Sequence, residues 1–512
     1  MRGYRRSKES GNLEKISKMQ RKLSLSSFAL ENKDFSSLIM GNGCKNFELV
    51  LRQYLILKLG YTNLRCAVLL AEASKSKRIS YPLPKQWKEI LEAEGYLINH
   101  LTSSVLWNGY VLAMFFYGVF KIFEIGLKGL LSEKIKDGNQ IKYCYFLDLT
   151  VTNFQYEEHC GILSWYCNWI GSDHNITSIR HAVKSVTLSS FKSKTVEYQN
   201  TPIPNLSNYL SSIRYMLWGT SAITITLIDL FRGRWRHALL LNQAALSGLA
   251  RNTSKSRLAK QYMFANSSWL YRPLWTYDAE LKGCEIVLYF YSTNCEPFKT
   301  SNSYKPLHFG YESMSWSRYL VWDKYQEDFI RRAVGKRASI EIVGPINFAG
   351  AVFKPPRSKN LFIAVFDVTP FRASRYCMLS DGDGFHTPLF INVFLEHVSR
   401  KLIEHSYNMY WKRKRDIGKQ AHPSYRRMQD LISQRHKVFE VQHDVSASSL
   451  IANSYAVISS PYTSTAVIAK EMGKPSIYYD PSKLLRKGDR AAHGIKVVQG
   501  ELELDKWLNS LA

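Results

Sequence analysis

The feature that most constrains this sequence is an alternation of apolar runs, polar loops and helix-like segments between residues 407 and 481. Three apolar runs of strand length each end in a polar loop, and helix-like segments lie between them. The runs are 407–411, 456–458 and 476–479, and the helix-like segments are 424–433, 446–453 and 465–472. This alternation predicts right-handed βαβ units and a parallel sheet. Such sheets bind ligands at the carboxyl ends of their strands, where these loops collect.

The loop 459–465 carries four hydroxyl side chains at the start of a predicted helix: Ser460, Thr463, Ser464 and Thr465. Hydroxyl groups and the free backbone N–H groups of a helix N-terminus together bind phosphate oxygens. A single Ser or Thr here would be an ordinary N-cap, but four exceed what capping needs. We therefore predict that these four residues bind the phosphates of a nucleotide.

A second polar loop, one βα unit upstream, contains His422 followed by Pro423. Proline disfavours helical backbone at the residue before it, so the imidazole can point from the loop at a phosphate. As a cation it would stabilise the charge that develops on a leaving nucleotide. A surface histidine without function is the alternative, and the neighbouring hydroxyl loop favours the catalytic role.

These motifs resemble those of a known family. The run Pro461-Tyr-Thr-Ser-Thr465, followed by Gly-Lys-Pro-Ser-Ile-Tyr-Tyr-Asp-Pro at 473–481, is similar to the signature of polysaccharide biosynthesis PFTS-motif proteins, with Tyr462 in place of Phe. More distantly, His422-Pro423 with the hydroxyl loop resembles motifs of bacterial sialyltransferases and related GT-B capsule enzymes. The likeness extends upstream through residues 271–280, 289–294, 321–326 and 343–345.

The resemblance implies an α/β protein with two Rossmann-like domains of the GT-B type and a helical N-terminal region. It implies a glycosyltransferase of bacterial surface polysaccharide (capsule or O-antigen) biosynthesis, which moves a sugar from a nucleotide-sugar donor to a glycan or lipid-linked acceptor. The nucleotide-sugar is then a substrate, and we expect no cofactor and no metal. A CDP-polyol phosphotransferase would use the same loops, a sugar epimerase would share the fold, and a non-catalytic assembly factor would only bind nucleotide or glycan.

Changes in sequence pattern divide the chain of 512 residues. We expect a basic flexible arm at 1–30, a helical region with potential membrane association at 31–135, a Rossmann-like acceptor domain at 140–346 and a Rossmann-like donor domain at 358–512. Within the acceptor domain, residues 272–283 and 320–333 have helical patterns.

The formal net charge of +27 favours anionic partners, such as nucleotide-activated sugars or anionic lipid headgroups. No nucleic-acid-binding motif accompanies this charge, so we expect no nucleic acid partner. The eight cysteines are scattered without paired spacing, which is typical of reduced, buried thiols in a cytosolic protein.

Residues 101–120 form an uncharged run of the length that a membrane-spanning helix requires, about 20 residues. A second uncharged run, 215–228, precedes the cluster Arg232, Arg234 and Arg236. A buried core helix and a full membrane span are the alternatives for the first run. We expect peripheral or monotopic attachment to the cytoplasmic face of the inner membrane.

Sugar transfer needs a base that takes the proton of the acceptor hydroxyl. Asp278 and Glu280 are the candidates from the acceptor domain, with Asp148 as a third. On the donor side, Thr369 and Arg372 lie in the loop after the apolar run 361–368, where a first βα loop meets a nucleotide. Asp381-Gly-Asp-Gly384 fits the Asp-x-Asp metal pattern, but acidic Gly-rich turns also occur for conformational reasons alone.

Overall fold

The computed structural model describes residues 12–26, 33–60, 63–74, 76–131, 142–154, 161–170, 176–184, 186, 188–293, 295–299, 303–304, 306–347, 349–354, 361–371, 387–413 and 417–511. They form a helical N-terminal region and two α/β domains, each built on a mainly parallel sheet. The predicted fold class is therefore confirmed.

The N-terminal region is a group of helices that packs on the first α/β domain. Its helices are α1 (Asn12–Leu25), α2 (Lys33–Met40), α3 (Phe47–Leu55), α4 (Asn63–Ala73), α5 (Lys85–Ala93) and α6 (His100–Leu131), with a parallel pair of short strands, β1 (Arg78–Ile79) and β2 (Leu97–Ile98). Extended backbone at Pro84 precedes α5. Trp87 of α5 and Tyr54 of α3 are fully buried and form part of the core.

The first α/β domain has an eight-stranded sheet of order β10-β9-β8-β7-β3-β4-β6-β5, in which only the edge strand β5 is antiparallel. Its strands are β3 (Tyr143–Phe146), β4 (Ser178–His181), β5 (Ser190–Phe191), β6 (Lys194–Tyr198), β7 (Gln261–Ala265), β8 (Glu285–Tyr289), β9 (Arg318–Val321) and β10 (Ser339–Ile342). Its helices are α7 (Gly161–Ile170), α8 (Tyr209–Phe231), α9 (Arg236–Asn252), α10 (Trp275–Leu281), α11 (Phe309–Glu312) and α12 (Lys324–Val334).

The sequence pattern predicted two helices of this domain with the wrong bounds. The helix predicted at 320–333 is strand β9 followed by α12, because the side chain of Asp323 caps α12 and accepts a hydrogen bond from the Gln326 N–H at 2.9 Å. A capped start of this kind ends the strand abruptly. The helix predicted at 272–283 is also shorter, since α10 covers only Trp275–Leu281.

Helices α8 and α9 form a hairpin inserted between strands β6 and β7, and both pack on α6. Glycines allow the close approach of α6 and α8. A Cβ atom on Gly126 of α6 would lie 2.0 Å from the sulfur of Met216, and one on Gly219 of α8 would lie 2.4 Å from Ile122. Helix α9 is the inner member of the three and packs on α10 and α2. Helices α6 and α8 are therefore the outer layer.

The second α/β domain has a six-stranded, wholly parallel sheet of order β13-β12-β11-β14-β15-β16. Its strands are β11 (Phe362–Phe366), β12 (Asn408–Lys412), β13 (Val438–Val441), β14 (Ala456–Ser459), β15 (Ser476–Asp480) and β16 (Lys496–Gln499), and its helices are α13 (Pro388–Glu404), α14 (Pro423–Ser433), α15 (Ala447–Asn453), α16 (Ser464–Glu471) and α17 (Gly500–Asn509). This is the strand order of the dinucleotide-binding Rossmann fold. Strand order reverses between β11 and β14, which defines the crevice where such folds bind their ligands.

Candidate functional site

The hydroxyl loop lies at the reversal point of the second sheet. It leaves the end of β14, and the backbone N–H of Ser460 donates to the carbonyl of Phe366, at the end of β11, at 2.7 Å. The loop that follows β11 and the loop that follows β14 are therefore neighbours. The sequence prediction that residues 460–465 occupy a ligand-binding edge agrees with this placement, while their role in binding phosphate stays a prediction.

Hydrogen bonds within the hydroxyl loop leave its helix start uncapped. Thr463 Oγ1 donates to the Ser460 carbonyl at 2.8 Å, and Thr465 Oγ1 lies 2.9 Å from Ser459 Oγ. The Thr463 side chain therefore does not cap α16, although Thr463 is its N-cap residue. Ser460 Oγ is fully buried and has no hydrogen-bond partner among the residues that the structure describes. An uncapped helix start beside a buried hydroxyl can bind an anion.

His422 is the N-cap residue of α14 and is tied to the loop after β11. The backbone N–H of His422 donates to the Pro370 carbonyl at 2.9 Å, and Phe371 and Ala421 form an antiparallel bridge. Its Nδ1 accepts from the Ser424 N–H at 3.2 Å. A neutral ring that accepts at Nδ1 carries its proton on Nε2, so the side chain is a hydrogen-bond donor at that atom.

The loop after β11 thus has the His422 loop on one side and the hydroxyl loop on the other. Thr369, predicted to contact nucleotide, lies buried in this loop, whereas Arg372 lies outside the described residues. Asp367, at the start of the loop, accepts a hydrogen bond from the Tyr425 hydroxyl at 2.5 Å. Sequence reasoning missed this pair, which fixes α14 against the loop.

Lys412 is a buried cation at the carboxyl end of β12. Its Nζ donates to the His443 carbonyl at 2.7 Å. Burial lowers the pKa of Lys412 to about 8, although the nearby carboxylates Asp444 and Asp367 act in the opposite direction. The side chain therefore places an ionisable group beside the loops of the reversal point, at the beginning of a basic run that the sequence showed at 412–415.

In the first sheet, strand order reverses between β3 and β7, and the carboxylate at this point is Asp148. Asp148 accepts hydrogen bonds from the Ala265 N–H at 2.8 Å and from Ser268 Oγ at 3.2 Å. Burial raises the pKa of the Asp148 carboxyl above its ordinary value, and the two hydrogen bonds partly oppose that effect. Asp148 is half-buried and follows β3 at the carboxyl edge of the sheet.

The structure does not support Asp278 as the base, because its carboxylate is occupied inside the protein. Asp278 is 1% exposed and accepts hydrogen bonds from the N–H and Nδ2 of Asn42, at 3.1 and 2.8 Å, and from Ser247 Oγ. It joins the N-terminal helical region to α10. Its role is therefore structural.

Glu280 is also misplaced for a base. It forms an ion pair with Arg272 at 2.6 Å and accepts a hydrogen bond from Ser317. It shares a depression with the first residues of three strands, Glu285, Arg318 and Ser339. Glu280 thus lies at the amino edge of the sheet, opposite the edge where the ligand-binding loops collect.

Contacts between the domains surround the hydroxyl loop. The ring of Tyr462 stacks on that of Phe298 of the first domain, and its hydroxyl donates to Asp489 at 2.8 Å. The N–H of Lys299, also in the first domain, donates to Asp489 at 2.9 Å. His493 Nδ1 lies 2.7 Å from the Asp323 carboxylate across the same boundary. The loop is therefore held by both domains.

Within the described part of the chain, no group of three or more His, Cys, Asp or Glu side chains is placed to hold a metal ion. The Asp381–Gly384 motif lies outside that part. The prediction that the protein uses no metal therefore stays a prediction.

A family model described as "Polysaccharide biosynthesis PFTS motif protein" matches residues 218–508, more than half of the chain. A comparison with curated proteins finds no match to this sequence.

Among solved structures, a glycosyltransferase from Rickettsia africae is 11% identical, with 72% of this chain and 88% of that chain covered and a TM-score of 0.34. The wall teichoic acid polymerase TagF is 11% identical, with 76% and 84% covered and a TM-score of 0.39. UDP-GlcNAc 2-epimerase from Methanocaldococcus jannaschii is 8% identical, with 72% and 91% covered and a TM-score of 0.34. At these identities and TM-scores, the neighbours do not identify a reaction.

Proposed function

The chain belongs to the family of polysaccharide biosynthesis PFTS motif proteins, and from this we propose that it is a bacterial glycosyltransferase of capsule or O-antigen synthesis. Its donor is a nucleotide-sugar, and its acceptor is a glycan or a lipid-linked glycan. One observation carries the proposal: at the reversal point of the second sheet, the start of α16 has no side-chain cap and lies beside the buried Ser460 hydroxyl, which has no hydrogen-bond partner in the part of the chain that the structure describes.

The donor diphosphate would lie at this helix start, where backbone N–H groups favour anions. Ser464, in the first turn of α16, and Ser460 supply hydroxyl donors. The Nε2 proton of His422 would stabilise charge on the phosphate oxygen when the bond between that oxygen and the anomeric carbon breaks. These residues stabilise negative charge on the leaving group, and the proposed transfer needs no covalent intermediate between the sugar and the protein.

We assign to Asp148 the role of catalytic base, for which the sequence analysis had favoured Asp278 and Glu280. Asp148 lies at the carboxyl edge of the first sheet, and burial raises its pKa toward the range in which a base accepts protons. In the proposed reaction the acceptor hydroxyl loses its proton to Asp148 while its oxygen forms the new bond to the anomeric carbon. The nucleotide leaves with the bonding electrons.

We also propose that the outer faces of α6 and α8 attach the protein to the cytoplasmic face of the inner membrane. Helix α6 is long and apolar enough to cross a membrane, and only 28% of its most apolar window is buried. Its exposed apolar side chains include Leu101, Val105, Leu112, Phe116, Phe120, Phe123 and Leu127, and those of α8 include Leu210, Leu217, Ile228 and Phe231. So large a contiguous apolar surface typically marks a membrane or protein contact.

Two details favour attachment at the surface over a full span. The uncharged part of α6 ends at Lys121, which pairs with Glu124 at 2.6 Å, and Lys128 pairs with the same carboxylate. Exposed hydroxyls on α8 donate back along the helix: Thr220 Oγ1 to the Met216 carbonyl at 3.0 Å, and Thr224 Oγ1 to the Thr220 carbonyl at 3.0 Å. This bonding satisfies polar groups where water is scarce. Such faces suit the boundary between headgroups and acyl chains.

The test is an activity panel with the purified full-length chain, in detergent, supplied with CMP-, CDP-, UDP- and GDP-sugars. Nucleotide release that requires an added acceptor supports a glycosyltransferase. Release of CMP from a CDP-polyol with phosphate transfer would instead identify a phosphotransferase, and interconversion of the sugar without an acceptor would identify an epimerase. Tight donor binding without turnover for every donor would favour an assembly factor.

A further inference from the structure

A groove of about 440 Å³ lies between the two α/β domains, separate from the hydroxyl loop. Helix α7 and the loop after β10, residues 343–347, form its wall in the first domain. Ser446 and Ser448, in the loop and helix start after β13, form its wall in the second. Both walls follow the carboxyl ends of strands. At residues 343–347 and at Ser446 the groove therefore reaches the carboxyl edge of each sheet.

Two tryptophans of α7 form an aromatic wall. The rings of Trp165 and Trp169 are nearly parallel, with 10° between their planes and 6.1 Å between centroids. Trp169 is fixed, because its Nε1 donates to Glu341 at 2.7 Å and Arg318 lies 5.2 Å from its ring centroid. Contacts within the protein therefore fix the orientation of the Trp169 ring.

The indole N–H of Trp165 has no hydrogen-bond partner among the residues that the structure describes, although Trp165 is only 8% exposed. A buried donor without an acceptor is costly, and native proteins rarely retain one. Trp165 lines the groove, so this donor belongs to the groove wall.

Among the described residues, the remaining lining carries no charged side chain. The lining residues are Gly161, Ser164, Trp165, Asn168, Trp169, Val343, Gly344, Pro345, Asn347, Ser446 and Ser448. The hydroxyls of Ser446 and Ser448 lie 2.7 Å apart and face the aromatic wall from the other domain. A nucleotide or phosphate would require cations here. Aromatic rings opposite hydroxyl and amide groups instead suit a neutral ligand with one apolar face and many hydroxyls.

We propose that this groove binds a neutral sugar residue of the acceptor glycan, with its C–H face on the Trp165 and Trp169 rings and a hydroxyl accepting from the Trp165 N–H. The inference rests on the proposed function, because it assigns the acceptor of that reaction. It places the acceptor between the domains and leaves the α16 helix start to the donor.

Binding can be measured without knowing the natural acceptor. The full-length chain is labelled with 5-fluorotryptophan, and the Trp165 resonance is assigned by its absence in Trp165→Phe. The probes are the methyl glycosides of glucose, galactose and N-acetylglucosamine, titrated while ¹⁹F NMR is recorded. We expect the Trp165 resonance to shift saturably with at least one glycoside, and Ser448→Ala to weaken that binding by about tenfold, the effect of one hydrogen bond.

Trp507→Phe is the matched control, since Trp507 is equally buried but lies in α17. It should leave glycoside binding unchanged. An unmoved Trp165 resonance with all three glycosides, in protein that still binds a nucleotide-sugar, would overturn the groove assignment and leave the proposed function standing. Glycoside binding without any nucleotide-sugar binding would support the groove assignment and contradict the proposed function.

Discussion

The ring of Tyr462 lies flat on the ring of Phe298, with 4.7 Å between their centroids and 12° between their planes. Tyr462 belongs to the family motif in the second domain, and Phe298 belongs to the first domain. Tyr462 has a left-handed backbone, with φ of +58°, a conformation that is uncommon for a residue other than glycine. The aromatic residue of the motif therefore joins the domains, while its neighbours Ser460 and Ser464 are the residues that we propose bind the donor.

Tyr462→Ala should lower the free energy of unfolding by about 3–4 kcal/mol, as loss of a buried aromatic ring usually does. Tyr462→Phe removes only the hydrogen bond to Asp489 and should cost about 1 kcal/mol. Urea denaturation of both variants measures the difference. Equal losses would mean that the hydroxyl, and not the ring stack, holds the domains together.

His422→Ala and Ser464→Ala should each reduce donor turnover by about 10²–10³, the usual effect of removing one charge-stabilising donor. His436→Ala and Ser433→Ala are matched controls, because both residues are exposed at the far end of α14 or just beyond it. Nucleotide release under saturating acceptor measures the effect. Near-normal turnover in both site variants would place the nucleotide elsewhere.

Asp148→Asn should lower kcat by about 10²–10⁴, as expected for loss of a general base, with little change in the dissociation constant for the donor. Because the pKa of Asp148 is raised, the acid limb of the kcat profile should lie above the ordinary range for an aspartate. Asp278→Asn should lower thermal stability instead, with kcat retained by the folded fraction. If Asp278→Asn alone abolished turnover in folded protein, our correction of the base would be wrong.

Lys412 should make stability depend on alkaline pH. Below pH 8 the lysine is charged in both states, and burial of that charge costs free energy. Between about pH 8 and 10.5 the folded lysine is neutral while the unfolded one still binds a proton, so the free energy of unfolding rises with pH. The full rise is about 3 kcal/mol.

Lys412→Met should lack this rise and should be the more stable protein below pH 8. The exposed Lys419→Met, in the loop that follows β12, is the matched control and should keep the wild-type slope. Urea denaturation across the pH range supplies the comparison. Parallel curves for wild type and Lys412→Met would contradict the depressed pKa.

Membrane attachment should depend on the outer face of α6. Phe116→Glu with Phe120→Glu places two carboxylates among exposed apolar side chains and should abolish flotation with liposomes that contain anionic lipid. Leu281→Glu is the control, because Leu281 is similarly exposed but lies at the end of α10. Unchanged flotation of the double variant would show that α6 does not contact lipid.

The second sheet could be predicted from the sequence because its strands are buried on both faces and read as continuous apolar runs. Position along a helix was harder to predict. Asp278 and Glu280 were expected near the ligand edge, but an extended segment and a short 3₁₀ turn separate β7 from α10, which carries them back to the amino edge. Asp148 was better placed, since it directly follows a strand.

The role of Tyr462 could not be predicted, because its partner Phe298 is far away in sequence and its motif gave no sign of that contact. The open Trp165 N–H was equally hidden. A sequence shows that a tryptophan is present, but only the packing of α7 shows that its N–H has no partner within the described ranges.

The hairpin of α8 and α9 also sets the order in which the chain can fold. Strand β3 ends at Phe146, and its sheet neighbour β7 begins only at Gln261, after the hairpin. Closing so long a loop costs conformational entropy, and packing of α9 against α6 and α10 offsets part of that cost. During synthesis the central strand pair of the first sheet must therefore wait until helices α8 and α9 have been made.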